Sequence, residues 1–474
     1  MRDLSAVSAA PSAVAVEAAK GGRPSAFWRA ITSRRAAILL CLLPLAYVDN
    51  PIIRLTPVTD DSPLSYGPVA VLVGLAFAVG ALGMASGRIR RPRFALDGPV
   101  AAVAGVAILA AVYGLARGNS HFYVLGDLFQ ILEFCAFYFV VTTLINRADD
   151  IVYLLKVILV LTVACAAMDF IVAFRVWNPA TDFFPRIFPD GIRALPSLII
   201  PVVLGALVFA RRSRIWLGLS FGLLLVWTIA SLTRGLWFSS VVAIVFLLIA
   251  SSTAGDRIRL LRGLGVAVVV LAILAVPALL IAQQRAPHLL DYFKFRIAFT
   301  PQQLLNPLDR IEARRQLEFV YVADDLMRSP LTTVFGEGLG AIYQGDTGYS
   351  YKTLTFGDRH FIHDSYLAYW FRLGVPGLLI YLLLAWRFLA SGLHKATTVR
   401  RPALLIGVLA AYVGVLAYSI TSDSLLRHPT GLFIALAMAS VLIGVSDRQE
   451  AGEPAAVIDG RPPAIGATAA PASK

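Results

Sequence analysis

Long apolar runs separated by short polar segments dominate the chain from residue 36 to residue 445. A helix needs about 20 residues to cross the ~30 Å of hydrocarbon in a bilayer, and most of these runs come close to that length. We therefore predict an all-α membrane protein with about 12 transmembrane helices. The predicted helices are 36–49, 66–86, 98–116, 122–145, 151–174, 195–210, 215–232, 236–252, 264–283, 365–388, 403–421 and 430–445.

The polar segments divide the chain into five parts. We expect about nine transmembrane helices in 36–283 and the remaining ones in 365–445, with one long, partly helical outer loop at 284–364 between them. The two ends, 1–35 and 446–474, are rich in Ala, Pro, Gly and Ser. Because such segments bury too little apolar surface to fold, we expect both ends to be disordered.

The composition supports a membrane protein and argues against several other classes. Of 474 residues, 58% are hydrophobic and 15% are charged, whereas about a quarter of the residues in a soluble domain are charged. A soluble enzyme, a disordered scaffold and a nucleic-acid-binding domain all fit poorly. The three cysteines, Cys41, Cys135 and Cys165, each fall inside an apolar run, so neither a disulfide framework nor a cysteine metal site is predicted.

The distribution of Lys and Arg predicts the orientation of the helices. With the N-terminus placed in the cytoplasm, the predicted inner segments hold 24 Lys and Arg, and the short outer loops hold 7. Since cytoplasmic loops carry an excess of these residues, this orientation fits and its inverse does not. Both termini are then cytoplasmic, and the net charge of +13 reflects topology rather than a nucleic-acid partner.

The long outer loop contains one clear helical pattern. It spans Asn306–Ser329 and ends at Pro330, which cannot continue a helix. A 4-3-4 spacing places four residues on one face of this helix, namely Arg315, Phe319, Val322 and Leu326. An arginine on an apolar face either snorkels to water or meets an anion, and both readings remain open.

Two further motifs follow in the loop. Gly336, Gly338 and Gly340 form a turn in which the backbone can approach a neighbour closely, although an ordinary loop turn has the same composition. His363 then precedes Asp364 and Ser365, either of which suits the N-cap of the helix that follows. The histidine is therefore expected at the outer membrane surface, in the positive field of a helix N-terminus, or else as a polar residue without chemistry.

The order of these motifs resembles the O-antigen ligase and O-antigen (exopolysaccharide) polymerase family of polytopic membrane glycosyltransferases. The matching motifs are an Arg-x-x-x-aromatic helix, a Pro, a Gly-x-Gly-x-Gly turn, a His-Asp-Ser-Tyr-Leu helix start and a Gly-Val-Pro-Gly sequence. They stand here at Arg315 to Phe319, Pro330, Gly336 to Gly340, His363 to Leu367 and Gly374 to Gly377. Leu232-Thr233-Arg234-Gly235 is similar to the Ser-Arg-Gly of the family.

The resemblance covers about 230–390, and the first half of the chain agrees only as transmembrane helices. The sequence departs from the family at Asp364, where Asn is common, and at Phe319, where the family has Trp. The resemblance implies a C-type glycosyltransferase-like fold. It also implies transfer of a glycan from an undecaprenyl-diphosphate carrier to a hydroxyl group, by direct inverting displacement and without a cofactor or metal.

The resemblance also implies roles for individual residues. Arg234 and Arg315 would bind the diphosphate, since guanidinium groups are permanently charged bidentate donors. Position alone equally suits a snorkelling role for Arg234. His363 would position or deprotonate the acceptor hydroxyl. Asp364, Tyr366 and the three glycines of the turn would support this site.

The implied location is the bacterial inner membrane, with the active site facing the periplasm. The implied acceptor is the lipid A–core oligosaccharide in a ligase or a second carrier-linked glycan in a polymerase, and the motifs are common to both. Further implied partners are membrane lipids and chain-length regulator or flippase proteins.

Two ionisable residues lie within predicted transmembrane helices at similar depth. Arg372 is nine residues inward from His363, about 13 Å by helical rise, and Glu133 enters its helix from the same side. Charges at such depth are costly and usually paired. We therefore predict a Glu133–Arg372 ion pair, with two separate wet cavities as the alternative.

Two other functions fit parts of the sequence. Asp60-Asp61 in the first outer loop suits a polyprenyl-phosphate-sugar glycosyltransferase that uses a metal, but it is also ordinary loop composition. About twelve helices with buried charges also fit a lipid-linked glycan flippase. Such transporters usually contain two related halves, and no such symmetry is visible here.

Overall fold

The fold is a bundle of α-helices. A computed structural model describes residues 33–48, 63–87, 89, 91–145, 147–176, 195–209, 214–231, 233–251, 255, 257–266, 268–269, 310–343, 362–397, 402–422 and 430–452. Over this part of the chain the regular structure is helical and no strand is present. The helices are α1 (Arg34–Val48), α2 (Pro63–Ala85), α3 (Asp97–Ala116), α4 (His121–Leu144), α5 (Ala148–Val176), α6 (Leu195–Phe209), α7 (Arg214–Ala230), α8 (Arg234–Ala250), α9 (Arg310–Met327), α10 (Pro330–Phe335), α11 (Ser365–Ala396), α12 (Pro402–Tyr418) and α13 (Thr430–Gly452).

The helices have the length and surface of membrane segments. Among the described residues, five helices are long and apolar enough to cross a membrane, at Gly67–Ala85, Asp97–Ala116, His121–Leu144, Asp149–Ile171 and Ser365–Ala396. Large apolar side chains are exposed on their outer faces and on shorter apolar helices, including Leu75, Leu109, Phe129, Trp216 and Trp386. A water-soluble bundle would turn such surfaces inward. The protein is therefore embedded in a membrane.

Eleven of the twelve predicted apolar runs coincide with helices. The remaining run, 264–283, lies largely outside the described residues, as does the predicted disordered segment 1–35. The last helix, α13, continues to Gly452, past Ser446, where the composition predicts a disordered tail. Good helix formers (Arg, Gln, Glu and Ala) occupy these extra positions, so the helix can continue beyond its apolar part.

Small residues allow α12 to pack closely between two neighbours. A Cβ atom at Gly407 would lie 2.7 Å from the carbonyl oxygen of Pro201 in α6. One at Gly414 would lie 3.2 Å from the carbonyl oxygen of Ser239 in α8. Close backbone approach through small residues is the usual way in which membrane helices gain packing energy.

The helix termini gather at two ends of the bundle. At one end, which we call the loop end, the ends of α3 and α12 meet the starts of α4, α8 and α11, together with α9 and α10. The Leu339 backbone N–H donates to the Ala110 carbonyl in α3, and that of Ser365 donates to the Ser419 carbonyl after α12. The loop end thus contains every motif on which the family resemblance rests.

Ion pairs close the opposite end of the bundle. Two guanidinium nitrogens of Arg91 lie 2.8 and 2.6 Å from the carboxylate of Asp97, which also accepts a hydrogen bond from the Tyr138 hydroxyl at 2.9 Å. Arg34 at the start of α1 binds Asp150 at the start of α5. These contacts join the helices at the end remote from the loop motifs.

Candidate functional site

The start of α11 is fixed by an N-cap at the predicted position. Asp364 is the N-cap residue, and its carboxylate accepts a hydrogen bond from the Leu367 backbone N–H at 2.9 Å. The predicted cap is confirmed at Asp364. Because the cap fixes the chain direction at this point, His363 is held immediately outside the first turn.

The first turn of α11 is anchored to the end of α12. The Ser365 hydroxyl donates to the carbonyl of Ser422 at 2.6 Å, and the Tyr366 hydroxyl donates to that of Leu416 at 2.9 Å. Ser365 is fully buried. Tyr366 thus holds the helix start through its hydroxyl. Together with the Ser365 hydrogen bond, this contact joins the first turn of α11 to the end of α12.

His363 is bound by a buried carboxylate from α9. Its ring Nδ1 lies 2.8 Å from Oε2 of Glu318, and its backbone N–H donates to Oε1 of the same carboxylate at 2.6 Å. The side chain of Glu318 is 5% exposed, whereas that of His363 is 33% exposed. The carboxylate is therefore enclosed, while part of the imidazole remains open to solvent or substrate.

This pairing determines which ring nitrogen is available for chemistry. A carboxylate beside Nδ1 favours the tautomer that carries its proton there and donates it to the carboxylate. Nε2 of His363 is then the unprotonated ring nitrogen, and its lone pair is the one that can accept a proton. The same arrangement of carboxylate, imidazole and substrate hydroxyl orients general bases on unrelated folds.

The buried face of α9 differs from the predicted face by about one residue. Val322 and Leu326 are buried as predicted, but they share the buried face with Glu318 and Asp325. Phe319, which was predicted on the same face, is exposed. Two acidic residues therefore face the protein interior on this helix, which a search for apolar spacing alone overlooks.

Arg315 belongs to the same helix, one turn before Glu318. Its backbone is helical as predicted, but its side chain lies outside the part of the structure that is described. The helix thus carries a cationic residue about 4.5 Å, by helical rise, before the residue that binds His363. A role for Arg315 in binding a diphosphate stays a prediction.

The glycine turn packs its backbone directly against two helices. Gly336, Gly338 and Gly340 have φ values of +72°, +85° and +75°, which only glycine adopts readily. A Cβ atom at Gly338 would lie 2.5 Å from Cα of Gly114 in α3, and one at Gly340 would lie 2.6 Å from the backbone nitrogen of Val124 in α4. Close backbone approach, which the sequence predicts for this turn, is confirmed.

A break in α11 receives the first part of this turn. Gly374 has a φ of +70° inside the helix, two residues before Pro376, which has no N–H group to donate. Beside this break, the Phe371 carbonyl accepts a hydrogen bond from the Glu337 backbone N–H at 2.7 Å. A Cβ atom at Gly336 would lie 2.6 Å from that carbonyl oxygen. The turn and the broken helix are therefore complementary in shape and in hydrogen bonding.

A side chain between two membrane helices also holds the turn. Nδ2 of Asn119, which lies between α3 and α4, donates to the carbonyl oxygens of Glu337 and Leu339 at 3.0 Å each. One amide group thus binds two carbonyl groups of the turn, on either side of Gly338.

A buried carboxylate in α4 connects the turn to α11. Oδ2 of Asp127 accepts a hydrogen bond from the Gly340 backbone N–H at 2.9 Å and lies 3.4 Å from Nε of Arg372. Glu133, the partner that the sequence predicts for Arg372, is also buried and lies six residues further along α4. The structure thus gives Arg372 an acidic partner that the sequence analysis did not consider, and a Glu133–Arg372 pair stays a prediction.

Arg234 lies at the same end of the bundle as His363. It is the first residue of α8 and is half-buried, and Gly235 after it packs against the side chains of residues 418 and 421. Ser365, two residues after His363, binds the backbone of the same 418–422 segment. Arg234 and His363, two of the three residues predicted to act on substrate, are therefore both next to residues that contact the 418–422 segment.

Sequence reasoning missed two acidic residues of this site. Asp127 lies within an apolar run, so the argument that selected Glu133 could also have found it. Glu318 lies in a polar loop, where one acidic residue among ten gives no signal of burial. Only its contact with a residue 45 positions away distinguishes it.

Within the described part of the chain, no three His, Cys, Asp or Glu side chains lie close enough together to hold a metal ion. Asp60 and Asp61, the pair on which the metal-dependent alternative rests, lie outside that part.

Comparison with known proteins assigns no function to this arrangement. No model of a known protein family matches the chain, and no curated protein gives a significant match. The resemblance to the O-antigen ligase and polymerase family therefore rests on the quoted motifs alone. A function has to be inferred from the residues of the loop end.

Proposed function

We propose that this protein is a membrane glycosyltransferase of the O-antigen ligase or polymerase type. It transfers a glycan from an undecaprenyl-diphosphate carrier to a hydroxyl acceptor at the periplasmic face of the bacterial inner membrane. The observation that carries the proposal is the pairing of His363 with the buried carboxylate of Glu318. A half-exposed imidazole oriented in this way, at one end of an apolar bundle, suits a base that acts on a lipid-linked substrate.

The reaction is a single displacement at the anomeric carbon. Nε2 of His363 accepts the proton of the acceptor hydroxyl, whose oxygen forms the new glycosidic bond. The bond between the anomeric carbon and the carrier diphosphate breaks, and the diphosphate leaves with the electron pair. Arg234 and Arg315 stabilise the negative charge on the leaving group. The chemistry needs neither a metal nor a cofactor, because the leaving group is already activated.

The charge distribution supports the proposed orientation. The excess of Lys and Arg lies on the side opposite the loop motifs, so the loop end faces the periplasm and both termini are cytoplasmic. Twelve transmembrane helices with the 284–364 loop on the outer side satisfy this pattern. His363 and Arg234 then meet a carrier whose glycan has already been moved across the membrane.

Either of two acceptors fits this mechanism. A ligase uses the lipid A–core oligosaccharide, and a polymerase uses a second carrier-linked glycan, with the same base and the same leaving group. Flippase and chain-length regulator proteins are the partners that would supply the donor and limit the product.

The proposal is tested in the native host by deleting the gene and complementing it with the wild type, His363→Ala or His394→Ala. His394 lies near the other end of the same helix and is exposed, so it controls for loss of an imidazole. Polysaccharides and lipopolysaccharide are then compared on gels at matched protein levels. We expect the wild type and His394→Ala to restore the surface glycan and His363→Ala to fail.

The gel also separates the two activities. Glycan missing from lipid A, with polymer accumulating on the carrier, indicates a ligase. Collapse of a long ladder to single repeats, or loss of secreted polymer, indicates a polymerase. Full complementation by His363→Ala would overturn the proposed mechanism and favour a transporter.

A further inference from the structure

A polar cavity of about 220 Å³ lies at the loop end of the bundle. Its lining comes from four segments: the end of α3, the end of α9, the start of α10 and the glycine turn. The polar lining residues are Arg117, Asp325, Arg328, Ser329, Thr332 and Glu337. None of them has a role in the mechanism above.

The lining contains two ion pairs, each made of one arginine and one carboxylate, so that positive and negative charges are equal in number. Arg117 lies 2.6 Å from Glu337, and Arg328 lies 2.7 Å from Asp325. The guanidinium groups are the more exposed partners, at 36% and 54%, whereas the carboxylates are 17% and 4% exposed. Burial raises the pKa of Glu337, and Asp325 acts in the same direction against the effect of Arg117.

This charge balance selects the class of ligand. A phosphate or uronate would meet two carboxylates for every two guanidinium groups, so the cavity offers an anion no net attraction. A neutral sugar presents neighbouring hydroxyl groups that both donate and accept hydrogen bonds. Carboxylate oxygens accept from such hydroxyls and guanidinium N–H groups donate to them, and each has more hydrogen-bonding positions than one ion pair occupies.

The size of the cavity limits how much sugar it can hold. Pockets for drug-sized ligands measure about 300–1,000 Å³, so a cavity of about 220 Å³ has room for one sugar ring rather than an oligosaccharide. Ile342 adds an apolar patch to the lining, which suits the C–H face of a ring.

The cavity and the catalytic pair share one face of α9. Asp325 follows Glu318 by seven residues, which is two helical turns or about 10.5 Å along the axis. Both side chains are buried on that face. A ring in the cavity would therefore lie about one or two sugar units from the reacting bond.

We propose that this cavity is a subsite for one neutral sugar ring of the donor or acceptor glycan, bound by Arg117, Arg328 and Glu337. The inference rests on the proposed function, since only a glycan substrate brings such a ring to this position. It adds a specificity-determining site to the catalytic one.

Binding is measured directly on the purified full chain in lipid nanodiscs by saturation-transfer NMR. The probes are the methyl glycosides of glucose, galactose, mannose and rhamnose, with inorganic phosphate and glucuronate as competitors. The variants are Arg328→Gln and Glu337→Gln, with Arg34→Gln as the matched control because it breaks an Arg–Asp pair at the opposite end. In both pairs an exposed arginine binds a buried aspartate, so Arg34→Gln also measures the general cost of breaking such a pair.

We expect at least one glycoside to bind the wild type and the Arg34→Gln variant equally. Binding should weaken by about tenfold in Arg328→Gln and Glu337→Gln, which is the effect of losing one charged hydrogen bond. Neither phosphate nor glucuronate should displace the glycoside. The inference is overturned if no glycoside binds the wild type, if both cavity variants bind normally, or if either anion displaces the sugar.

A His363→Ala variant separates this inference from the proposed function. It should bind the glycoside normally while failing to restore surface glycan in cells. If His363→Ala binds the glycoside and also complements fully, the subsite is retained and the mechanism is rejected. If no glycoside binds and His363→Ala fails to complement, the mechanism is retained and the subsite is rejected. The carrier-linked glycan that copurifies with His363→Ala identifies the source of the ring: its loss on adding Arg328→Gln indicates the donor, and its retention indicates the acceptor.

Discussion

Nδ1 of His363 lies 2.8 Å from the carboxylate of Glu318, a residue 45 positions earlier on α9. The same carboxylate accepts the backbone N–H of His363, so it fixes both the ring and the chain that carries it. Orientation of the histidine therefore depends on the docking of α9. The proposed activity of His363 at the start of α11 therefore requires that α9 is docked on the bundle.

Substitution Glu318→Gln tests this dependence. The amide oxygen can still accept the His363 backbone N–H, but the NH₂ group would donate to Nδ1 and place the proton on Nε2. We expect the rate of glycan transfer by the purified protein to fall about 10- to 100-fold, as for other residues that orient a functional histidine. KM for the carrier-linked donor should stay unchanged, because no donor contact is lost.

Asp324→Asn is the matched control for this variant. Asp324 is an exposed carboxylate on the same helix, so its substitution removes the same charge without touching His363. Equal losses in both variants would mean that helix charge, rather than orientation of the histidine, sets the rate.

Gly338→Ala should destabilise the protein more than Gly118→Ala. Both glycines have a φ near +85°, at +85° and +84°, but a Cβ at Gly338 meets Gly114 whereas nothing lies within 4 Å of one at Gly118. The left-handed conformation alone costs about 1–2 kcal/mol. The clash adds about 1–3 kcal/mol at Gly338 only. Thermal unfolding midpoints in detergent measure the difference, and equal midpoints would show that the contact with α3 contributes nothing.

The interaction between Asp127 and Arg372 can be measured with a double-mutant cycle. Arg372→Gln leaves a carboxylate buried without its cation, which costs about 3–5 kcal/mol in comparable pairs. Adding Asp127→Asn should recover part of that loss while keeping an acceptor for the glycine turn. A parallel cycle with Glu133→Gln tests the pair predicted from sequence. We expect the larger coupling energy in the Asp127 cycle, and a larger value for Glu133 would reverse the assignment.

Glu337 should make stability depend on pH. Burial raises its pKa in the folded state above the ordinary value of 4.5, so the folded protein takes up this proton at higher pH than the unfolded chain does. Stability contributed by this group therefore increases as pH falls from neutral through the raised pKa, and is lost as pH rises through it. The unfolding midpoint of Glu337→Gln should lack this increase. A wild-type midpoint that falls in parallel with the variant over this range would contradict the prediction.

Glycan transfer should continue after removal of divalent cations. The proposed mechanism stabilises the leaving diphosphate with arginine side chains, so EDTA should leave the rate of reconstituted transfer unchanged within about twofold. A full loss that Mg²⁺ or Mn²⁺ restores would instead favour the metal-dependent alternative with Asp60 and Asp61.

The positions of the helices were largely predictable because a bilayer imposes one simple rule on them. Runs such as 195–210 and 236–252 match α6 and α8 within two residues, since every backbone group in hydrocarbon must be satisfied within the helix. That rule ends at the membrane surface. The extension of α13 to Gly452 depends on helix propensity in water, about which apolar length says nothing.

The site was predictable only where a local signal marks it. The Asp364 cap and the glycine turn each follow from a few neighbouring residues, and both are confirmed. Prediction of Glu318 and Asp127 as site residues would have required knowing which distant segment each one contacts. From sequence alone, an acidic residue on a loop helix is expected to face solvent. The same side chain can also be buried against a partner, and only knowledge of that partner distinguishes the two cases.

Two main-chain hydrogen bonds attach the glycine turn to the bundle. The Leu339 N–H binds a carbonyl of α3, and the Glu337 N–H binds a carbonyl of α11 at its break. Such bonds do not depend on which side chains surround them, provided that the glycines remain. The exposed residues of α9 and α10, such as Phe319 and Val334, are therefore not needed to hold the turn against the bundle. The architecture thus separates the main-chain frame beside His363, which cannot change without loss of the glycines, from the exposed surface around it, where substitutions leave that frame intact.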